Sequence, residues 1–393
     1  MPISKFGRSL VAAAMLGAAA AAGSQGLSLV ETADLRLVYF DPNQTYLVPR
    51  AIQTFHSSLE RQRNILGYEP QEKTTVLLVD FKDYGNGGAG AVPGNLVTLD
   101  VAPVTPTFET SAPAERMYTL MNHELVHIAA LDSAAPEDLD YRKLFGGKVL
   151  SVDEHPETIL YKYLTVPRDL APRWFHEGIA VFLETWLAGG LGRAQGGYDE
   201  MMFRAKVRDG THFYDPLGLA SEGVRVDFQH MANAYLYGGR FVSYIAYTYS
   251  PQQLVEWIKR TRDSKRSYRA EFERVFSLPL DDAWQDWIEF EHAHQRNNLA
   301  AIRQFPTTEY QDLSDVAWGS MSRAFFDAER NSLVAGVQYP GTVAHIGEYS
   351  LDTREMNNLE DIKVPSLYSV SSVTYDQASG TVFYTADNKA YRD

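Results

Sequence analysis

Cysteine is absent from all 393 residues. That excludes disulfides, a Cys-rich structural zinc site and a lipid-anchoring cysteine behind an export signal. Stability must come from core packing, which a chain of this length permits. Positive charge is also short: 36 Lys and Arg face 50 Asp and Glu, a formal net charge of −14. Nucleic-acid binding wants a basic patch, so this balance argues against it. Long apolar runs are missing as well. The run Leu10–Ala22 falls well short of the ~20 residues that a membrane span needs.

What is present starts at the N-terminus. Lys5 and Arg8 precede the apolar run, and the small residues Ala20, Ala22 and Ser24 close it. This is the pattern of a secretory signal peptide over residues 1–24. It predicts a periplasmic or secreted product with no membrane span after cleavage.

Histidine is scarce, at 10, yet two stand four apart in His123-Glu124-Leu125-Val126-His127. The surrounding stretch, Ala114 to Asp132, reads as a helix. Residues four apart share a helix face, so both imidazoles can grip one metal ion, and Glu124 can reach a water on that ion. Downstream, Trp174-Phe175-His176-Glu177-Gly178-Ile179-Ala180 starts a second helix with a carboxylate near its beginning. Pairing H-E-x-x-H with W-x-x-E-G resembles the gluzincin zinc peptidases, and within them the bacterial peptidase MA-like domains. Aminopeptidase-N and thermolysin-like peptidases are more distant.

The resemblance implies an α+β, zincin-like domain over residues 27–300 that ends in a helical subdomain. It implies Zn2+ held by His123, His127 and Glu177, with Glu124 as the general base. It also implies an oxyanion-stabilising Tyr from a later helix. Tyr235, in Ala234-Tyr235-Leu236-Tyr237-Gly238-Gly239-Arg240-Phe241, matches best, and Tyr237 is the second choice. Packing in a Tyr-rich core is the competing role for each. Two His and one Glu leave a fourth position for water, the pattern of catalytic zinc, although other divalent metals accept the same ligands. Glu184, two turns after Glu177, is either a partner of a ligand His or a solvated carboxylate. His176 lies about 100° from Glu177 around the helix and is not made a ligand. His292 and His294 read as a solvated face. Glu154 and Glu184 stand in reserve as a third ligand.

Elsewhere, alternation at Leu35, Leu37 and Tyr39 predicts a strand, followed by a helix from Val48 to Leu66 and a strand over Thr74–Asp80. Asp83–Gly94 reads as a Gly-rich turn region. Asn95–Val101 reads as a strand, either the sheet edge that holds an extended substrate or an ordinary core strand. Forty-nine residues separate His127 from Glu177. The excess over aminopeptidase-N relatives, residues 133–171, is either a lid beside the cleft or a plain surface excursion. Helices are predicted over Met231–Ser250, Gln252–Arg260, Tyr268–Phe276 and Asp281–His294.

Beyond Leu313, short β runs take over. Phe325-Phe326-Asp327-Ala328-Glu329-Arg330 is echoed 49 residues later by Thr374-Tyr375-Asp376-Gln377-Ala378-Ser379. Residues 310–393 are accordingly expected to be the first blade and part of the second of a β-propeller. The chain is then expected to be a piece of a longer protein, with a protein partner recognised through the propeller. The expected function is a zinc peptidase acting on a peptide or protein substrate, an endopeptidase because no Gly-x-Met-Glu-Asn sequence is present. An inactive zincin scaffold in a propeller-based binding protein, or a metal hydrolase acting on a non-peptide bond, are the alternatives.

Overall fold

The structure, a computed structural model, describes residues 26–81, 85–102, 115–187, 189–190, 192–221, 232–314, 320–339, 341–362 and 373–384. The expected signal peptide lies outside them. The fold class is α+β. Two compact units divide near residue 296.

The first unit is built on a five-stranded sheet of order β1-β2-β3-β5-β4, with β1 Gly26–Glu31, β2 Leu35–Asp41, β3 Thr74–Val79, β4 Gly87–Gly90 and β5 Leu96–Asp100. β2, β3 and β5 run parallel, whereas β1 and β4 are antiparallel to their neighbours. A parallel pair needs a crossover, and helix α1 (Val48–Leu66) supplies the one between β2 and β3. Its break is local chemistry: Gly67 takes the left-handed conformation at φ 62° and returns its N–H to Arg63. Period-two alternation buries Leu35, Leu37, Val76, Leu78, Val97 and Leu99, while α1 adds Phe55 and Leu59 to the same core.

Of the two readings of Asn95–Val101, the internal strand holds: it contains β5 (Leu96–Asp100), and the sheet edge beside it is β4, inside the stretch read as a turn region. Gly87, Gly88, Ala89 and Gly90 have little intrinsic strand propensity. Tertiary pairing with β5, from Gly87 opposite Leu99 to Gly90 opposite Leu96, makes them a strand.

Helix α2 (Arg116–Asp132) is capped by Glu115, which accepts from the N–H groups of Met117 and Tyr118. Its last residue, Asp132, is buried and accepts from Tyr68 Oη (2.8 Å), Asn95 Nδ2 (2.9 Å), Arg142 Nη1 (3.0 Å) and Lys148 Nζ (3.0 Å). Burial opposes ionisation of Asp132, but Lys148, Asn95 and Arg142 prevail and hold it below the usual carboxylate range. Two of these partners belong to the stretch read as lid or excursion. That stretch folds as α3 (Pro136–Phe145) and α4 (Thr158–Thr165). Buried Asp138 roots it further by pairing with Arg260 at 2.7 Å.

Helices α5 (Arg173–Leu187), α6 (Gly197–Asp209), α7 (Pro216–Ala220), α8 (Asn233–Thr248), α9 (Pro251–Ile258), α10 (Tyr268–Phe276) and α11 (Leu280–Ile302) follow. α5 and α8 cross backbone to backbone at Gly178 and Gly238, where a Cβ on Gly178 would lie 2.6 Å from the Gly238 carbonyl carbon. Trp174, Phe241, Trp284 and Trp287 fill the space beside this crossing with edge-to-face and tilted ring contacts. None of the described helices is long and apolar enough to cross a membrane.

The second unit corrects the propeller expectation. Its strands are β6 (Ser320–Met321), β7 (Phe325–Asp327), β8 (Ser332–Gln338), β9 (His345–Ser350) and β10 (Met356–Asp361), with a separate hairpin of β11 (Val373–Asp376) and β12 (Thr381–Tyr384). The first five form an open antiparallel sheet of order β10-β9-β8-β6, with β7 also on β8. Among the described residues neither sheet is closed or propeller-like. The 49-residue echo encodes a repeated turn instead. Asp327 Oδ1 accepts from the N–H groups of Glu329 and Arg330, and Asp376 Oδ1 accepts from Ala378 N–H. Asp heads such turns because its side chain bonds backbone two residues on, and that chemistry repeats without a blade.

The helix crossing has a direct test. Gly178→Ala places a methyl group against backbone that cannot rotate away, so it should cost about 1–3 kcal/mol in urea unfolding. A loss below about 0.5 kcal/mol would mean that the two helices part easily.

Candidate metal centre

His123 and His127 lie on one face of α2, with Nε2 atoms 3.2 Å apart. From α5, Glu177 Oε2 comes to 3.3 Å from His123 Nε2 and 3.4 Å from His127 Nε2. Among the described residues this trio is the one cluster of three or more His and acidic side chains that converges on a common point. The three edges fit an ion well. Tetrahedral ligands at ~2.0–2.1 Å from zinc stand about 3.3–3.4 Å from one another. Three lone-pair atoms this close repel unless a cation or shared protons lie among them.

Each donor has a partner behind it or beside it. His123 Nδ1 is 2.6 Å from Glu184 Oε2, so the second carboxylate of α5 turns inward rather than to solvent. Glu184 in turn accepts from Arg193 Nε at 3.1 Å. Such a carboxylate behind a ligating imidazole fixes its tautomer and orientation. Arg173 Nε lies 3.5 Å from the other oxygen of Glu177. Without a metal, burial alone would depress His123, but Glu184 and Glu177 outweigh it and raise the imidazole to about 10. Burial likewise opposes ionisation of Glu177, and hydrogen bonds from His123 and His127 hold it well below its ordinary 4.5.

Glu124 sits between the two histidines in sequence and is 4% exposed. Burial raises its pKa, and the neighbouring histidines offset only part of that. A carboxylate held above its ordinary range is a better proton acceptor near neutrality. The edge strand β4 runs directly against it. A Cβ on Gly87 would overlap Oε1 of Glu124, so any other residue here would push the carboxylate out of its place.

Tyr235 on α8 stacks on His123, with centroids 6.2 Å apart at 27°. Guanidinium carbons lie over its ring at 4.9 Å for Arg193 and 5.2 Å for Arg173. Burial and Glu177 raise its pKa, while Arg193 and Arg173 pull it down. Tyr237 goes elsewhere. Fully buried, it packs among Phe203, Phe213, Tyr214 and Trp287. His176 stays outside the trio, depressed to about 4 by burial. His294 pairs with Glu200 at 3.2 Å and His292 packs on Phe213. Glu154 is exposed on the loop between α3 and α4 and is not in the cluster.

Three contributors escaped the sequence reading: Arg173, Arg193 and Gly87. Arg173 carries a local signal, since i and i+4 on a helix are neighbours of Glu177. Arg193 lies in a short 3-10 segment and Gly87 in a Gly-rich stretch. Neither position carries periodicity. No family model matches the chain, and no curated protein matches it.

The His123–Glu184 pair gives metal-stripped protein a two-sided pH dependence. Burial opposes Glu184, but Arg193 and His123 lower it to about 2. Its stabilisation is complete above its ordinary 4.5 and is lost as pH falls toward 2. His123 contributes fully below its ordinary 6.5 and loses that contribution as pH rises toward 10. The melting-temperature gap between wild type and Glu184→Gln should be widest between pH 4.5 and 6.5 and should narrow on both sides. A gap independent of pH would remove the ion pair from the account.

Proposed function

We propose that this protein is a zinc-dependent peptidase of the gluzincin type that hydrolyses internal peptide bonds of an extended substrate. The observation that carries the proposal is the triangle of His123 Nε2, His127 Nε2 and Glu177 Oε2, with edges of 3.2 to 3.4 Å. The intact Glu124 beside it favours an active enzyme over an inactive scaffold. Export through the N-terminal segment, to the periplasm or beyond, is part of the same proposal.

In this mechanism His123, His127 and Glu177 would hold the ion. When bound, zinc supplies Lewis acidity and lowers the pKa of a water toward ~7. Glu124 accepts a proton from the attacking water and returns it to the leaving amine, a role that suits its raised pKa. Tyr235 donates its hydroxyl proton as a hydrogen bond to the developing oxyanion. Among the described residues β4 is an edge strand of its sheet, the kind of edge to which an extended substrate adds as a further strand, and Gly87 brings β4 against Glu124. This placement favours a polypeptide substrate over a small non-peptide one.

Elemental analysis should find about one zinc per chain, lost in His123→Ala and in Glu177→Ala. Glu124→Gln should keep the metal and the fold yet lose peptide hydrolysis by at least about 100-fold, the lower bound of what a positioned general base contributes (roughly 10²–10⁴). A folded wild type that takes up no zinc would sink the proposal. Gly87→Ala is a subtler probe, because the displaced group is the end of a flexible side chain. It should leave stability within about 1 kcal/mol while lowering kcat by up to about 10²-fold through misplacement of Glu124. An unchanged kcat would detach β4 from the chemistry.

A further inference from the structure

The stretch that joins the two ligand-bearing helices is rooted close to the metal centre. Asp132 is five residues past His127 on α2, and Arg173 is four residues before Glu177 on α5. At ~1.5 Å of rise per residue, each root lies within about 8 Å of a ligand position along its helix axis.

The inner face of this stretch is polar and paired. Arg142 and Lys148 are buried and both reach Asp132 at 3.0 Å. The outer face is apolar. Leu144 is 74% exposed, Leu160 57%, Ile159 52% and Leu150 50%, with Phe145 and Val152 exposed beside them. Exposed singly such residues are ordinary, but a group of them marks an interaction site. Hydrogen bonds and a ring stack hold this group together. Phe145 on α3 stacks on Tyr161 of α4 with centroids 4.9 Å apart, and Leu144 and Leu160 are the chain neighbours of those two rings. The loop between the helices is tied to α4, because Val149 N–H donates to Thr165 Oγ1 (3.2 Å) and Val152 N–H to Thr158 Oγ1 (3.0 Å).

The charge around this surface is acidic. With Arg142 and Lys148 turned inward, Lys143 is the one exposed Lys or Arg among residues 136–160, and it pairs with Asp140 at 3.1 Å. Glu137 pairs with Arg260 at 2.7 Å. Asp153, Glu154 and Glu157 stand exposed after Val152, with His155 3.2 Å from Glu157. An apolar surface edged with carboxylates complements a segment that carries both apolar side chains and Lys or Arg. It disfavours an anionic lipid surface, and a second copy of this chain would bring the same carboxylates to the contact.

We propose that the outer face of α3 and α4 is an exosite that docks a cationic, apolar segment of the polypeptide substrate. This rests on the peptidase proposal above and names its substrate class. Docking there tethers the substrate while another part of it meets the metal centre, so it raises affinity without entering the chemistry.

The test uses the full chain carrying Glu124→Gln, so that peptide is bound but not consumed. The probes are a fluorescein-labelled peptide of alternating leucine and lysine, and its counterpart with glutamate for lysine, followed by anisotropy. The lysine peptide should bind at least about 10-fold more tightly than the glutamate peptide, and its affinity should fall with added salt. Leu144→Ser with Leu160→Ser should weaken it about 10-fold. Asp153→Asn with Glu154→Gln and Glu157→Gln should weaken it about 3-fold or more and flatten the salt dependence. All five positions are exposed, so melting temperatures should match the parent. With Glu124 restored, the two serine changes should raise KM about 10-fold for a substrate extended by the leucine and lysine segment. The same changes should leave kcat within about 2-fold, and a short peptide without the segment should be cleaved as by wild type.

Equal binding of the two peptides, or serine variants that bind like the parent, would overturn the inference. Self-association lost in Leu144→Ser would reassign the face to a second copy, and co-sedimentation with phosphatidylcholine vesicles would reassign it to a membrane. A wild type that binds the lysine peptide through this face but cleaves no peptide would sink the peptidase proposal and leave the docking surface. A cleaving wild type indifferent to the segment would sink only the exosite.

Discussion

Three carboxylates, Glu124, Glu177 and Glu184, are buried around one pair of histidines, and the surrounding structure serves to make that burial tolerable. Isolated buried anions are costly, so each must find a cation or a donor. Glu184 finds His123 and Arg193. Glu177 finds both histidines and Arg173. Glu124 has the least compensation and is the one whose pKa rises. The same electrostatics thus sets two carboxylates as fixed anions and leaves the third ready to take up a proton, a division of labour by environment rather than by residue type.

A second constraint is close approach. Donor atoms on α2 and α5 meet only if the helices beneath them are held near one another, and α5 is fixed in turn by its crossing with α8. Gly178 and Gly238 allow that crossing because neither has a Cβ. Gly87 repeats the device where a strand meets Glu124. At all three positions the useful property of glycine is its missing volume. At the C-terminal end of α2, Asp132 anchors the helix with four polar partners. The long spacer between the ligand-bearing helices is rooted at this anchor and at Asp138, so its inner face is fixed in place.

Much of the first unit was legible because its signals are periodic. Val48–Leu66 and Tyr268–Phe276 coincide with their predicted bounds, and Thr74–Asp80 differs by one residue. Amphipathic periodicity together with Gly67 marks such elements plainly. The seven-residue spacing put Glu184 on the face of Glu177 but left it open between a ligand partner and a solvated carboxylate, and its contact with His123 decides for the first. Two expectations failed for one shared reason. β4 was read as a turn because glycine signals turns, but pairing with β5 overrides a weak propensity. The β-propeller was read from an Asp-headed echo, but that pattern specifies a turn and carries no information about how hairpins assemble.

By itself the sequence determined which residues share a helix face: His123 with His127, and Glu177 with Glu184. Helical spacing is a local property that 3.6 residues per turn imposes whatever surrounds it. It likewise determined that no thiolate takes part, since there is no cysteine. Only the tertiary structure decided that the two faces meet, that Tyr235 rather than Tyr237 stands beside His123, and that Arg173, Arg193 and Gly87 join them. Those are long-range juxtapositions. They depend on the side-chain volumes and the glycine gaps at helix and strand contacts, which no local pattern encodes.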